Sequence, residues 1–301
     1  MNTGVEIAGV KFKNPIITAS GTFGFGKEYN ELYPISALGG ICTKGLTLKE
    51  REGNASPRIA ETPSGILNSV GLQNPGIEYY LAEYDKWLSD CGTTVIANIA
   101  GSKLEDYVAI AARINDSSAD MVELNISCPN VRSGGIAFGV QPESVRRVTE
   151  AVKKVCNKPV ITKLTPNVSC IADNAKAAED GGADAISLIN TITGMAVDYK
   201  RRRPILANNT GGLSGPCVKP IALRMVWECY NAVKVPIIGL GGITSYTDVL
   251  EFMICGARAV QVGTANISDP YAAHTIARDL EEYCRSNDID VNTLVGTLEL
   301  N

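Results

Sequence analysis

Short runs of β-branched and other apolar residues alternate along this chain with stretches whose apolar positions recur every three or four residues. That alternation predicts βα units wound around a parallel sheet. The first two runs, Val5–Ile7 and Val10–Phe12 about Ala8-Gly9, follow a period of two and predict a small hairpin. Eight further strands are predicted at Pro15–Ala19, Gly40–Thr43, Thr94–Ile99, Met121–Ile126, Pro159–Leu164, Ala183–Ile189, Pro236–Leu240 and Ala257–Val262. Each is an almost unbroken apolar run, as expected where both faces of a parallel strand are covered. Helix ends are signalled between them. Ser102 with Glu105 reads as a capping box ahead of Tyr107, Val108 and Ile110. Pro142 marks a first turn, with Val145, Val148, Val152 and Val155 following at helical spacing. Ala172–Glu179 runs out at Gly181, a C′ residue. Ser245 with Asp248 opens another helix, and Asp269-Pro270 opens the long last one.

Two segments, 45 to 76 and 195 to 216, break the alternation and carry little helical pattern. Loops of that length inside a compact domain are usually functional. Eight βα units in one domain spanning residues 1–301 predict an α/β protein of the (β/α)8 TIM barrel class. It would carry an N-terminal β-hairpin and long inserted loops after strands 2, 4 and 6. An open doubly wound sheet is the alternative.

Composition narrows the function. Apolar residues make up 45% and charged residues 20%, which suits a folded globular chain. Lys plus Arg number 28 against 32 Asp plus Glu, a net charge of -4 that argues against a general nucleic-acid binder. No apolar run approaches the ~20 residues of a membrane span, and the N-terminus lacks the pattern of a signal peptide. The nine cysteines include no CxxC pair and read as free thiols of a reducing cytoplasm. The single histidine, His274, largely excludes histidine triads and multi-histidine metal sites, so no metal is expected.

In a barrel of this kind the chemistry lies at the C-terminal strand ends. Those ends are Ser20-Gly21, Lys44-Gly45, Asn98, Asn125, Lys163, Asn190-Thr191, Gly241-Gly242 and Gly263-Thr264. The first six present hydrogen-bonding side chains. The last two present small residues whose backbone N–H groups suit a phosphate, although two tight βα turns would use the same glycines. A lysine ending a barrel strand suits a Schiff base, an electron-rich cofactor ring or an anionic substrate. Three asparagines beside it favour a planar heterocycle. Cys128 precedes a proline in the polar, glycine-rich segment 125–139 and is the one thiol placed for acid/base work. Cys42, Cys156, Cys229 and Cys255 lie in strand or helix patterns and read as apolar fillers. The cluster Lys200-Arg201-Arg202-Arg203 reads as a solvated part of the sixth loop.

Five segments carry a resemblance. They are Ala-Ser-Gly-Thr-Phe-Gly at 19–24, Leu-Asn-Ser-Val-Gly-Leu-Gln-Asn-Pro at 67–75, Asn-Ile-Ser-Cys-Pro-Asn at 125–130, Ala-Asn-Asn-Thr-Gly-Gly-Leu-Ser-Gly-Pro at 207–216 and Val-Gly-Thr-Ala at 262–265. With them the chain resembles dihydroorotate dehydrogenase from about Val5 to its last helix, and Cys128 with the Gly-Gly-Ile-Ala-Phe-Gly that follows resembles the class 1 B catalytic subunit. The resemblance implies a (β/α)8 barrel that holds one FMN and oxidises dihydroorotate to orotate in pyrimidine (UMP) synthesis. It implies flavin contacts at Ser20, Lys44, Gly45, Asn98, Asn125, Lys163, Ile189, Gly215, Gly241, Gly242, Gly263 and Thr264. It implies substrate contacts at Lys44, Asn68, Ser69, Val70, Gly71, Leu72, Asn125, Asn190 and Thr191. Cys128 falls on the general base that takes the C5 proton while the C6 hydride passes to FMN, and Lys163 on the cation near the flavin N1/O2 edge.

The class 1 B resemblance further implies that electrons reach NAD through a partner subunit carrying FAD and a [2Fe–2S] cluster, in a heterotetramer built on a homodimer. The chain has no GxGxxG opening a helix and no cysteine cluster of the iron–sulfur kind. It also lacks the hydrophobic N-terminal extension and the serine base of a membrane-attached relative. The alternatives are a fumarate-dependent class 1 A enzyme, a Schiff-base lyase using Lys163, and a non-catalytic flavin-binding module.

Overall fold

The computed structural model describes residues 3–127 and 138–301. The chain begins with the antiparallel hairpin of β1 (Val5–Ile7) and β2 (Val10–Phe12), Val5 opposite Phe12. It then enters the barrel through β3 (Ile16–Thr18) and β4 (Gly40–Cys42). The first insertion holds β5 (Ile59–Thr62) and β6 (Gly65–Asn68). The barrel resumes with β7 (Thr94–Ile99), β8 (Met121–Asn125), β9 (Val160–Lys163) and β10 (Ala185–Leu188). The second insertion holds β11 (Ile192–Gly194), β12 (Val197–Asp198), β13 (Arg203–Pro204) and β14 (Gly211–Ser214). β15 (Ile237–Leu240) and β16 (Ala257–Val262) complete the set.

Eight strands, β3, β4, β7, β8, β9, β10, β15 and β16, form a closed parallel barrel in chain order. Closure comes from Val260 and Val262 of β16 pairing with Ile16 and Thr18 of β3. The predicted barrel is therefore correct, and the open sheet is excluded. The hairpin lies at the N-terminal end of the strands, where Thr94, the first residue of β7, donates to the Lys11 carbonyl at 3.1 Å. Buried Val5, Ile7 and Phe12 join the main core there.

Helices cover the outside of the barrel with the apolar stripe that the spacing predicted. Pro142–Lys153 buries Val145, Val148 and Val152, and Ile171–Asp180 buries Ile171, Ala175 and Ala178. Val155 falls beyond its helix. Three helix ends differ from their sequence reading. The carboxylate opening Leu104–Ile114 belongs to Asp106, which accepts from the backbone N–H of Ser102 at 2.9 Å and of Lys103 at 3.1 Å, while Glu105 points to solvent. Gly181 stays right-handed (φ -75°), and Gly182 takes the left-handed turn (φ 87°). The last helix, Ala272–Asn287, starts three residues after Asp269, whose carboxylate accepts from the Tyr271 N–H.

The two insertions are not irregular. β11, β14, β6 and β5 form one antiparallel sheet in that order, with Gly212 opposite Asn68 and Ile192 opposite Leu213. β12 and β13 form a separate ribbon. The ribbon turns at 199–202, and residues 200–203 are exposed, as the sequence reading expected. The sheet joins loops that follow β4 and β10, so it stands at the C-terminal end of the barrel.

The corrected cap yields a direct test. Asp106→Ala should lower stability by about 1 kcal/mol, the usual cost of losing such a cap. Glu105→Ala, on the exposed face, should stay within about 0.5 kcal/mol of the wild type. Urea midpoints for the two variants check the assignment, and equal losses would overturn it.

Candidate active site

A cavity of about 750 Å³ opens at the C-terminal strand ends beneath the antiparallel sheet. Its wall includes Ser20, Lys44, Gly45, Asn125, Lys163, Ile189, Gly215, Gly241, Gly242, Gly263 and Thr264, eleven of the twelve residues expected at a flavin. It also includes Asn68, Ser69, Val70, Gly71, Leu72, Asn190 and Thr191, so all the expected substrate residues reach the same space. Asn98 does not. It is fully buried behind the wall, and a Cβ on cavity-lining Gly45 would lie 2.8 Å from its Oδ1. Cys128 lies outside the described residues. Ser127 and Val140, on either side of that undescribed segment, both line the cavity. The Gly139 N–H donates to the Ile126 carbonyl at 3.0 Å, and Asn174 Nδ2 donates to the Gly139 carbonyl at 2.6 Å. The two ends of the segment are thus fastened at the cavity rim.

The floor of the cavity is set by strand alternation. Residues 123 and 125 of β8 share one face, so the Asn125 side chain at the mouth has a Glu123 side chain beneath it. Glu123 is completely buried and sequence reasoning did not pick it out. Its Oε1 accepts from Asn98 Nδ2 at 2.7 Å, Lys163 Nζ at 3.2 Å and the Cys42 thiol at 3.3 Å. Its Oε2 accepts from Gln261 Nε2 at 2.6 Å and Ser187 Oγ at 2.9 Å. Burial alone would raise the Glu123 carboxyl, but the Lys163 charge and the Gln261, Ser187 and Asn98 bonds together hold it below the usual carboxylate value. Burial, and then the same carboxylate, push the Cys42 thiol well up, so it stays a neutral donor.

Lys44 differs from Lys163. Among the described residues its ammonium has no ion-pair partner, and burial lowers its pKa from the ordinary 10.5. A cation so placed gains from an anionic ligand. Asn125 and Asn190 stand together nearby, Asn190 Nδ2 donating to Asn125 Oδ1 at 3.2 Å. Asn167, another lining residue missed in the sequence, fixes the next position by donating to the Thr191 carbonyl at 3.0 Å.

The other end of the cavity is built from backbone. Gly241 and Gly242 both have positive φ (122° and 77°), and a Cβ on Gly242 would stand 2.8 Å from the Lys219 Cβ and 2.9 Å from the Gly215 carbonyl. Only glycine fits there. Ser245 caps the next helix as predicted, yet Asp248 accepts the N–H groups of Thr244 (2.8 Å) and Ser245 (2.9 Å). Those two N–H groups at the start of the helix are therefore already taken. Thr264 Oγ1 donates to Ser214 Oγ at 2.8 Å and ties the last barrel turn to β14. β14 in turn approaches so closely that any side chain at Gly212 would overlap Thr191.

The four thiols read as fillers are enclosed, whereas Cys170 and Cys217 are exposed. Cys42, Cys156 and Cys229 are buried and Cys255 is half-buried. Burial pushes the Cys229 thiol up to about 12.

Comparison with known proteins gives the family. Residues 3–284 match the family described as dihydroorotate dehydrogenase. The chain is 52% identical over 301 residues, the whole length of both proteins, to the dihydroorotate dehydrogenase B (NAD(+)) catalytic subunit of Thermoanaerobacter pseudethanolicus. It is 53% identical to the protein of that name from Geotalea uraniireducens, covering 98% of this chain and 97% of the other. The Caldicellulosiruptor saccharolyticus protein of that name is 52% identical over the full length of both. A match that spans the barrel and both insertions, at 52% identity over the full length, places this chain in the dihydroorotate dehydrogenase family.

Proposed function

We propose that the protein oxidises dihydroorotate to orotate in pyrimidine synthesis, as the FMN-holding catalytic subunit of an NAD-dependent enzyme. The observation that carries this reading is the meeting, in one cavity, of a buried lysine over an anionic hub, a cluster of asparagines and a glycine turn. The residues fit FMN. Ser69 and Ser127 present buried hydroxyls with no partner among the described residues, and the cradle at Gly215, Gly241 and Gly242 would be filled by any side chain. Gly241, Gly242, Gly263 and Thr264 would hold the phosphate. Lys163 would place positive charge where the reduced ring gains electron density. When bound, FMN supplies the acceptor for the hydride leaving C6.

The chain's own groups do the rest. Lys44 would pair with the substrate carboxylate, and Asn68, Asn125, Asn190 and Thr191 would meet the ring amides. Residues 69–72 would close the cavity from above, removing water and holding the substrate in register. Cys128 would take the C5 proton. The ion pair of Lys163 with Glu123 disfavours the lyase alternative, because a Schiff base needs an uncharged amine. The relatives are named as NAD-dependent catalytic subunits, which favours this type over the fumarate-dependent one. FAD and the [2Fe–2S] cluster would then sit on a partner subunit. A homodimer within a heterotetramer and a cytoplasmic location accord with that reading and with the free thiols. No helix among the described residues is long and apolar enough to cross a membrane.

The purified chain should be yellow, hold one FMN and bleach when dihydroorotate is added without oxygen. A colourless protein, or one that holds FAD, would overturn the reading. Cys128→Ser should keep its FMN and slow flavin reduction at pH 7 by about 10²–10⁴, the usual loss with a general base. Anaerobic stopped-flow measures this, and near-normal reduction would assign the proton to another group. Orotate affinity tests Lys44. Burial disfavours the charged amine in the free site and a bound carboxylate favours it, so binding takes up a proton. Affinity should therefore be flat at lower pH and fall, by up to about tenfold per pH unit, as Lys44 loses its proton below 10.5. Lys44→Met should abolish that slope and cost about 2–5 kcal/mol of binding. A slope that survives in the variant would contradict the pairing.

A further inference from the structure

Glu123 is a formal negative charge sealed inside the barrel, and the activity as described above gives it no task. Such a charge is costly unless paired and fully hydrogen-bonded. Here five donors from five different strands converge on it: Cys42 of β4, Asn98 of β7, Lys163 of β9, Ser187 of β10 and Gln261 of β16. Lys163 alone among them reaches the cavity with a charge, its side chain only 6% exposed. The titratable groups facing the carboxylate are Lys163 and Cys42, and the other three strands present neutral donors.

We infer that Glu123 is a positioning residue for the redox site. Its ionised carboxylate pairs with Lys163 Nζ at 3.2 Å and fixes that group at the cavity floor, so that a cation stands ready for the negative charge of the reduced ring. This deepens the flavin reading above and rests on it. Two features favour it over simple filling of the barrel interior. An apolar side chain would satisfy the interior more cheaply than a charge. Lys163, which lines the cavity, and Asn98, which backs Gly45 of its wall, also share one oxygen of Glu123, so one carboxylate holds two parts of the site. Gln261 completes the frame, its Oε1 lying 3.5 Å from Lys163 Nζ.

The test measures the midpoint potential of the FMN-loaded protein against pH, with reference dyes. Ser187→Ala removes one donor and leaves the charge of Glu123, so it should follow the wild-type slope. In Glu123→Gln the amine has no counter-charge in a desolvated site and sheds its proton more readily. Reduction of the ring then draws that proton back. One extra proton per two electrons steepens the slope by a factor of ten per pH unit in the equilibrium, about 30 mV. A Glu123→Gln protein that holds FMN and keeps the wild-type slope overturns the inference. A second measurement needs neither flavin nor a folded Glu123→Gln. Lys163→Met strands the carboxylate without its cation, so the infrared carbonyl band of a protonated carboxyl should appear at neutral pH and be missing from the wild type. Absence of that band in Lys163→Met also overturns the inference. A wild-type chain that takes up no FMN would overturn the flavin reading instead, and the infrared result would still decide the role of Glu123.

Discussion

A carboxylate without access to water dictates the interior of this barrel. Glu123 accepts five hydrogen bonds, and each donor must come from an inward-facing side chain that reaches it. The requirement fixes the register around most of the barrel: Asn98 stands opposite Glu123 on β8, and Lys163 stands opposite Asn125 and Ser187. Above this layer the side chains are polar and reach the cavity. Below it, by the same alternation, lie Ile96, Met121, Ile161 and Ala185, all fully buried. One charge thus separates an apolar plug from a binding floor.

The site then divides its labour along the cavity. Over the floor the surface is made of side chains, where Lys44, Lys163 and the asparagines present charge and amide groups to the cavity. At the far end it is made of backbone, where Gly215, Gly241 and Gly242 leave no room for a side chain. The two insertions link these halves. Their shared sheet carries Asn68 opposite Gly212, and β14 is tied by Ser214 to Thr264 beside the glycine turns. The sheet over the cavity mouth and the glycine end are therefore mechanically connected.

The barrel was legible because continuous apolar runs bounded by Gly, Asn and Pro are strong signals, and all eight strands lie where those runs fall. The strand-end residues were legible once the fold was, since seven of those eight ends reach one cavity. Asn98 shows the limit of that rule. It lies one residue before the end of β7, faces Glu123 and sits behind Gly45. The sheet over the mouth was hidden because β14 is Gly-Gly-Leu-Ser and β6 Gly-Ile-Leu-Asn, too short and glycine-rich to show a period. Glu123 was hidden by the opposite effect: inside Met-Val-Glu-Leu-Asn it reads as one irregularity in an apolar strand. Its position two residues before Asn125, on the same face, was the available signal. The capping carboxylate of Asp106 was missed because Glu105 fits the usual spacing and only the observed first turn separates the two.

On the proposed function, this cavity holds a flavin ring over Lys163 at one end and its phosphate on the glycine turns at the other. Titration of the deflavinated protein with FMN and with riboflavin, which differ only in that phosphate, tests it most directly. Hydrogen bonds to a charged group contribute about 1.5–3 kcal/mol each. FMN should therefore bind at least about a hundredfold more tightly than riboflavin. Equal affinity for the two would contradict the account.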